Sequence, residues 1–197
     1  MLRSLARFMS VTGRKQVVVT GAGKDRLGIV KDISGIIMDY DGNIVDSRMS
    51  NLGGYFATML LVDVPVNNLQ LLKKEIVDSG DELGMHLDCN EVMTQGHPEH
   101  HHARYNAQIQ VKGADHPGII HEVSEYLSEQ GVNIESIRTS TEPAPMGGTT
   151  LFKMLGRINI PELIDIKNLQ NNIKKAESKI GVDIIIQTEE ENENPAY

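Results

Sequence analysis

A chain of 197 residues, 40% apolar and 23% charged, has the composition of an ordinary soluble globular protein and the length for one large domain or two small ones. Its net charge of −8 excludes nucleic-acid binding through a broad basic face. A single cysteine, Cys89, excludes an intrachain disulfide, and no apolar run approaches the roughly 20 residues that a membrane-spanning helix needs.

Residues 1–14 carry Arg3, Arg7 and Arg14, no acid, and Leu2, Leu5 and Phe8 at helical spacing. That is the composition of an organelle transit peptide, and it sets a mitochondrial destination as the expectation. A basic arm on a cytoplasmic protein is the alternative. QVVVTGA then reads as a buried strand, and GIVKDISGIIMDYDG as a helix with Ile29, Ile33, Ile36, Ile37 and Tyr40 on one face and a stop at Gly42. NIVDSRMSN and YFATMLLVDVP read as strands joined through Leu52, Gly53 and Gly54 as a hairpin. LQLLKKEIVDSG follows as a second helix and MHLDCNEV as a fourth strand, giving the order βαββαβ.

The chain then repeats itself. Asp25, Gly28, Ile29, Ser34, Asn43, Ile44, Arg48 and Ser50 recur as Asp115, Gly118, Ile119, Ser124, Asn133, Ile134, Arg138 and Ser140, at a fixed offset of 90 residues. YNAQIQVKG, GIIHEVSEYLSEQG, NIESIRTST, TLFKMLGRINIP, LIDIKNLQNNIKKAESKIG and VDIIIQT give the same order of elements. Beyond Ser140 the offset grows, because EPAPMGG lengthens the hairpin loop. The chain therefore divides into a basic segment 1–14, a domain over 15–92, a histidine-rich linker 93–104, a second domain over 105–188 and an acidic tail 189–197. The fold class is α+β: two four-stranded antiparallel sheets, each with two helices on one face.

The repeats agree best in the turn from first strand to first helix, DRLGI and DHPGI. Glycine there allows close approach to the backbone, and the first free amides of a helix attract a carboxylate. Asn43 and Asn133 follow the same helix, and an amide offers both a donor and an acceptor. An amino acid, with one carboxylate and one ammonium, suits this combination. The competing structural reading has the aspartate capping the helix, Pro117 in its first turn and the glycine as a packing position.

The βαββαβ order, with D-x-L/P-G-I after the first strand and G-N-I or V-N-I after the first helix, resembles the ACT domain, a ligand-binding regulatory module of ferredoxin-like fold. DRLGIV and GNIVDSRMSNLGGYFATMLLV are similar in particular to the glycine cleavage system transcriptional repressor family, tandem ACT proteins of bacteria. The resemblance implies modules paired side by side with a small amino acid, glycine or serine favoured, held at the interface. It nominates Asp25, Arg26, Leu27, Gly28, Ile29, Asn43 and Ile44, then Asp115, His116, Pro117, Gly118, Ile119, Asn133 and Ile134, as ligand-binding residues. It further implies a homodimer signalling to a partner protein. Leu27 stands where the family usually has proline, and Lys24 where the second copy has Ala114.

Other chemistry finds no support. GAGKDRLG lacks the first glycine of a phosphate loop, where Val18 stands, and has Asp25 after the lysine. A dinucleotide fingerprint fails at Arg26. The histidines of GHPEHHH can capture a metal adventitiously, but they read as a solvated linker. Cys89 has no partner thiol and no activating base nearby, and Glu189, Glu190 and Glu191 read as solvated tail. No cofactor, metal site or catalytic residue is expected. The expectation is a non-enzymatic sensor, with a ligand-free dimerisation scaffold or an accessory subunit of a metabolic enzyme as the alternatives.

Overall fold

The computed structural model describes residues 13–92, 103–145 and 147–188. They fall into two units, one within Met1–Gln95 and the other within Gly96–Tyr197. The transit-peptide reading, the histidine cluster and the acidic tail concern segments that lie outside the described residues.

The first unit runs β1 Arg14–Lys24, α1 Ile29–Asp39, β2 Asn43–Leu52, β3 Tyr55–Pro65, α2 Leu69–Asp78, α3 Gly80–Leu83 and β4 Met85–Glu91. Its sheet has the order β2-β3-β1-β4 with every pair antiparallel. Alternation along the strands puts Val17, Val19, Leu60, Val62, Val64, Leu87 and Cys89 into one core. The helices cover that face with Ile29, Ile33 and Ile37 from α1 and Leu69, Leu72 and Ile76 from α2, all buried at helical spacing.

The second unit runs β5 Ala103–Ala114, α4 Ile119–Glu129, β6 Asn133–Pro143, β7 Thr150–Pro161, α5 Ile166–Ile180 and β8 Val182–Thr188. Its sheet, β6-β7-β5-β8, repeats the topology of the first. Ala107, Ile109, Val111, Met154, Ile158 and Ile160 meet Ile119, Val123, Leu127, Leu169 and Ile173 in its core. Both units bulge at the same place: the ladder register shifts at Val45, between Ile44 and Asp46, and at Glu135, between Ile134 and Ser136.

Three expectations change in detail. The first helix does not stop in a left-handed Gly42: the left-handed residue is Asp41, at φ 56°. Gly42 is instead a packing position, since a Cβ there would lie 2.7 Å from the Ile37 side chain and 2.8 Å from its carbonyl oxygen. In the second unit Gly131, at φ 72°, takes the left-handed position and Val132 enters the core. The second helix of the first unit is not continuous. After Ser79 the chain makes the separate turn α3, in which Gly80 lies against the Met85 carbonyl, where a Cβ would approach to 2.7 Å. Finally, α5 starts at Ile166, with Asp165 accepting from the Lys167 amide at 2.9 Å, so Leu163 and Ile164 lie ahead of it.

One buried group is out of keeping with its core. Thr58, on β3, is 6% exposed and its Oγ1 finds no hydrogen-bond partner among the described residues. It lines a void of about 10 Å³ with Ser34, Met49 and Phe56. The matching residue of the second unit is Met154, which is buried. Thr58→Val keeps the shape and removes the orphaned hydroxyl, so it is expected to stabilise the first unit by about 1 kcal/mol. A higher denaturant midpoint at unchanged slope checks this.

Candidate functional site

Each unit's first loop is tied down from both sides. As the chain leaves β1, the Asp25 amide donates to the Gly54 carbonyl at 2.9 Å; after β5 the Asp115 amide donates to Thr150 at 2.8 Å. Gly28 and Gly118 then adopt φ 93° and 101° as the N-cap residues of α1 and α4. Their carbonyls accept the first helical bonds, from Asp32 and Glu122, each at 2.9 Å. A Cβ at either glycine would meet no atom closer than 3.4 Å, so glycine is required by the torsion and not by crowding.

No side chain caps either helix. The amides of Ile29, Val30 and Lys31, and of Ile119, Ile120 and His121, have no acceptor among the described residues, and they carry the positive end of the helix dipole. The capping role considered for the aspartate is therefore not the one it has. The Asp25 carboxylate accepts from the Asn51 side chain on β2. Asp115 is exposed and its carboxylate makes no hydrogen bond or ion pair among the described residues.

The remaining loop residues divide by task. Leu27 is fully exposed and Pro117 is exposed, whereas Ile29 and Ile119 are core residues that offer the site only their amides. Arg26 and His116 bridge the loop at the helix start and the end of the helix that precedes the last strand of their unit. Arg26 Nε donates to the Leu83 carbonyl at 3.4 Å, and its Nη1 lies 3.3 Å from the Leu27 carbonyl and 2.8 Å from Asp32 Oδ2. The His116 ring places Nε2 2.9 Å from the Ile180 carbonyl and Nδ1 3.1 Å from the Pro117 carbonyl. Leu83 and Ile180 are both the last residue of their helix, followed by left-handed Gly84 and Gly181. Arg and His therefore fill one structural position in the two copies, and its partners were invisible in the sequence.

The asparagines do not join the loops. Asn43 pairs with Asp63, which pairs with Gln16, whereas the loop leaves β1 after Lys24, eight residues further along the strand. At about 3.3 Å per residue the two halves stand about 26 Å apart on one sheet. Asn133, Asn159 and Asn106 repeat this arrangement at the far end from Ala114. Asn43 and Asn133 are exposed, while Ile44 and Ile134 are half-buried and pack on the cores. Beside Asn133, the Asn159 Oδ1 is buried without a hydrogen-bond partner among the described residues. Sequence reasoning missed both Asn51 and Asn159, for which strand pairing is the only signal.

The other reactive groups stay apart from both ends. Burial raises the Cys89 thiol to about 11, which leaves it protonated and unreactive at neutral pH. Among the described residues no three His, Cys, Asp or Glu side chains converge as a metal site, and no helix is long and apolar enough to cross a membrane.

Residues 15–90 and 101–182 each match the ACT domain. The glycine cleavage system transcriptional repressor of Escherichia coli is 24% identical over 166 residues, covering 84% of this chain and 86% of its own. A UPF0237 protein of Methanopyrus kandleri is 33% identical over 85 residues, which are 43% of this chain and 88% of that protein. A crystal structure of an unknown protein from Galdieria sulphuraria superimposes with a TM-score of 0.78 at 30% identity, over 89% of this chain and 99% of that one. The chain belongs to the ACT domain family, with two modules in tandem.

The left-handed caps give a direct check of the loop geometry. Gly28→Ala and Gly118→Ala add a side chain that has room but forces an unfavourable φ, so each is expected to cost about 1–2 kcal/mol. Equilibrium unfolding of each variant, compared with Gly35→Ala in mid-helix, measures it. Gly35 also has free space for a Cβ but no positive φ, and its replacement should stabilise.

Proposed function

We propose that the chain is a non-enzymatic regulatory sensor that binds a small amino acid, glycine or serine, between ACT modules and passes the bound state to a partner protein. The observation that carries this reading is the pair of half-sites in each unit. Uncapped helix-first amides stand at one end of the sheet and an exposed asparagine at the other. The amides suit a carboxylate; an asparagine side-chain oxygen and the loop aspartate suit an ammonium.

One module cannot close such a site across about 26 Å. A twofold partner can. β2 and β6 are sheet edges, and nine of the ten β2 residues are exposed. When the same edge strand of two copies pairs antiparallel, the asparagine end of one copy faces the loop end of the other, and two complete sites form. A ligand touching both copies favours their joined arrangement by its differential affinity, which is the signal the partner reads. The second module is the better candidate, because its Asp115 carboxylate is uncommitted and Pro117 fixes the loop backbone. Likeness to the repressor supports a regulatory role, and the net charge of −8 favours a protein partner over nucleic acid. The basic start of the chain supports a mitochondrial destination.

Two variants made in an Asn43→Ala background test the shared site. Asp115→Lys disables the loop half and Asn133→Ala the strand half. Each alone should abolish the thermal shift with glycine or serine, which at 100 times the dissociation constant adds about 2.7 kcal/mol in the intact protein. Randomly exchanged dimers of the two variants should regain about a quarter of the binding stoichiometry of the Asn43→Ala parent, because half of the dimers are hybrids and each hybrid holds one of its two second-module sites with both halves intact. Dimeric variants that regain nothing would disprove a site shared in this way. A folded wild type that responds to no amino acid would turn the assignment to an assembly scaffold.

A further inference from the structure

We propose that His116 is a proton-operated latch that positions the helix-terminal loop of the second module, and that Arg26 is its permanently closed counterpart in the first. The inference rests on the reading of that loop as half of a ligand site. His116 stands between the site aspartate Asp115 and the capping glycine Gly118, separated from the latter only by Pro117. Its ring nitrogens sit 3.1 and 2.9 Å from two carbonyl oxygens, those of Pro117 and Ile180. A carbonyl only accepts, so both contacts require an N–H on both nitrogens, which is the imidazolium. The neutral ring keeps one donor and must turn a lone pair toward the other carbonyl.

The two carbonyls belong to different elements. Pro117 is in the loop that presents the α4 amides, and Ile180 closes α5. The charged ring therefore fastens the loop to the end of the second helix, and its deprotonation releases one of the two attachments. Arg26 makes the matching pair of contacts, to Leu27 and Leu83, with a guanidinium that stays charged at all physiological pH values. Charged neighbours reinforce the difference. Asp115 in the same loop and Glu122 on α4 both favour the imidazolium. On α5 Lys179 precedes Ile180 and lines, with Glu122, a cleft of about 440 Å³ between the helices.

The His116 pKa is raised, first by the contact with Pro117 and then by that with Ile180. A raised folded-state value means that the latch is fully closed below the ordinary histidine range near 6.5 and is lost as pH rises through the folded value. The loop of the second module is then held at acidic pH and loosened at alkaline pH, while that of the first module is indifferent over the same range.

NMR titration of the full chain between about pH 5 and 9 tests this without any ligand. The His116 ring should titrate above the ordinary histidine range, and the Gly118, Ile119 and Gly181 amides should move with the same midpoint. Gly28, Ile29 and Gly84 should not follow it. In His116→Arg the second-module amides should stay at their acidic positions throughout, and in His116→Ala at their alkaline ones. Amides that fail to follow the ring, or that titrate unchanged in His116→Ala, would overturn the latch. Calorimetry with serine as the probe reads the consequence: affinity at the second module should fall with rising pH in the wild type and stay flat in His116→Arg. Wild type that binds neither serine nor glycine defeats the sensor reading, and the ligand-free titration still decides the latch.

Discussion

The antiparallel register of β1 with β3, and of β5 with β7, is the constraint on which the rest of the molecule depends. It fixes where β1 releases the chain into the loop and where β2 receives it after the helix, and these points are at opposite ends of one sheet. A helix of eleven residues covers about 16 Å, so it returns the chain most of the way along the sheet before Asn43 begins the next strand. The repeated motif, compact when written as sequence, is thus spread over the full length of each module. Whatever uses both of its ends must have the dimensions of a whole sheet or the symmetry of two.

The same backbone then carries two differently adjusted loops. Both modules keep what the torsions demand: a left-handed glycine cap, a backbone hydrogen bond from the aspartate N–H to the neighbouring hairpin, and a bulge one residue after the repeated isoleucine, Ile44 or Ile134. They differ where side chains meet. Asp25 is held by Asn51, whereas Asp115 is uncommitted; Arg26 closes on Leu83 with a fixed charge, whereas His116 closes on Ile180 with a titrating one. Both differences tighten the first module and leave the second adjustable. A duplicated fold needs two stable cores, and side chains outside the cores are where divergence carries little risk to folding.

How much of this was legible depended on the range of each interaction. The strands and helices could be read because period-2 and period-3.6 patterns are local, and the hairpin because Gly53 and Gly54 supply the positive φ values, 61° and 80°, that a two-residue turn requires. The helix-terminal loop could be read because it occurs twice. The stop of α1 was misplaced by one residue, since Asp41 and Gly42 are both plausible left-handed residues and only the packing of Ile37 decides between them. Arg26 and Leu83 are 57 residues apart, and His116 and Ile180 are 64 apart; no periodicity announces such contacts. Asn51 reaches Asp25 for the same reason, through strand register that the sequence does not print.

The exposed edge ties these observations together. An edge strand of ten residues with nine exposed invites pairing, and Asp46 and Arg48 on β2 form an ion pair with each other at 2.6 Å instead of projecting a net charge against an incoming strand. The bulge at Val45 interrupts the ladder near the asparagine end, which limits regular pairing to the stretch beyond it. Such an edge accepts a partner of matching twist and bulge more readily than an arbitrary strand, and a second copy of the same module meets that requirement automatically. On the proposed reading, self-pairing and a site split between the sheet's two ends follow from one geometry, because an antiparallel pairing that satisfies the edge would also bring the two halves together.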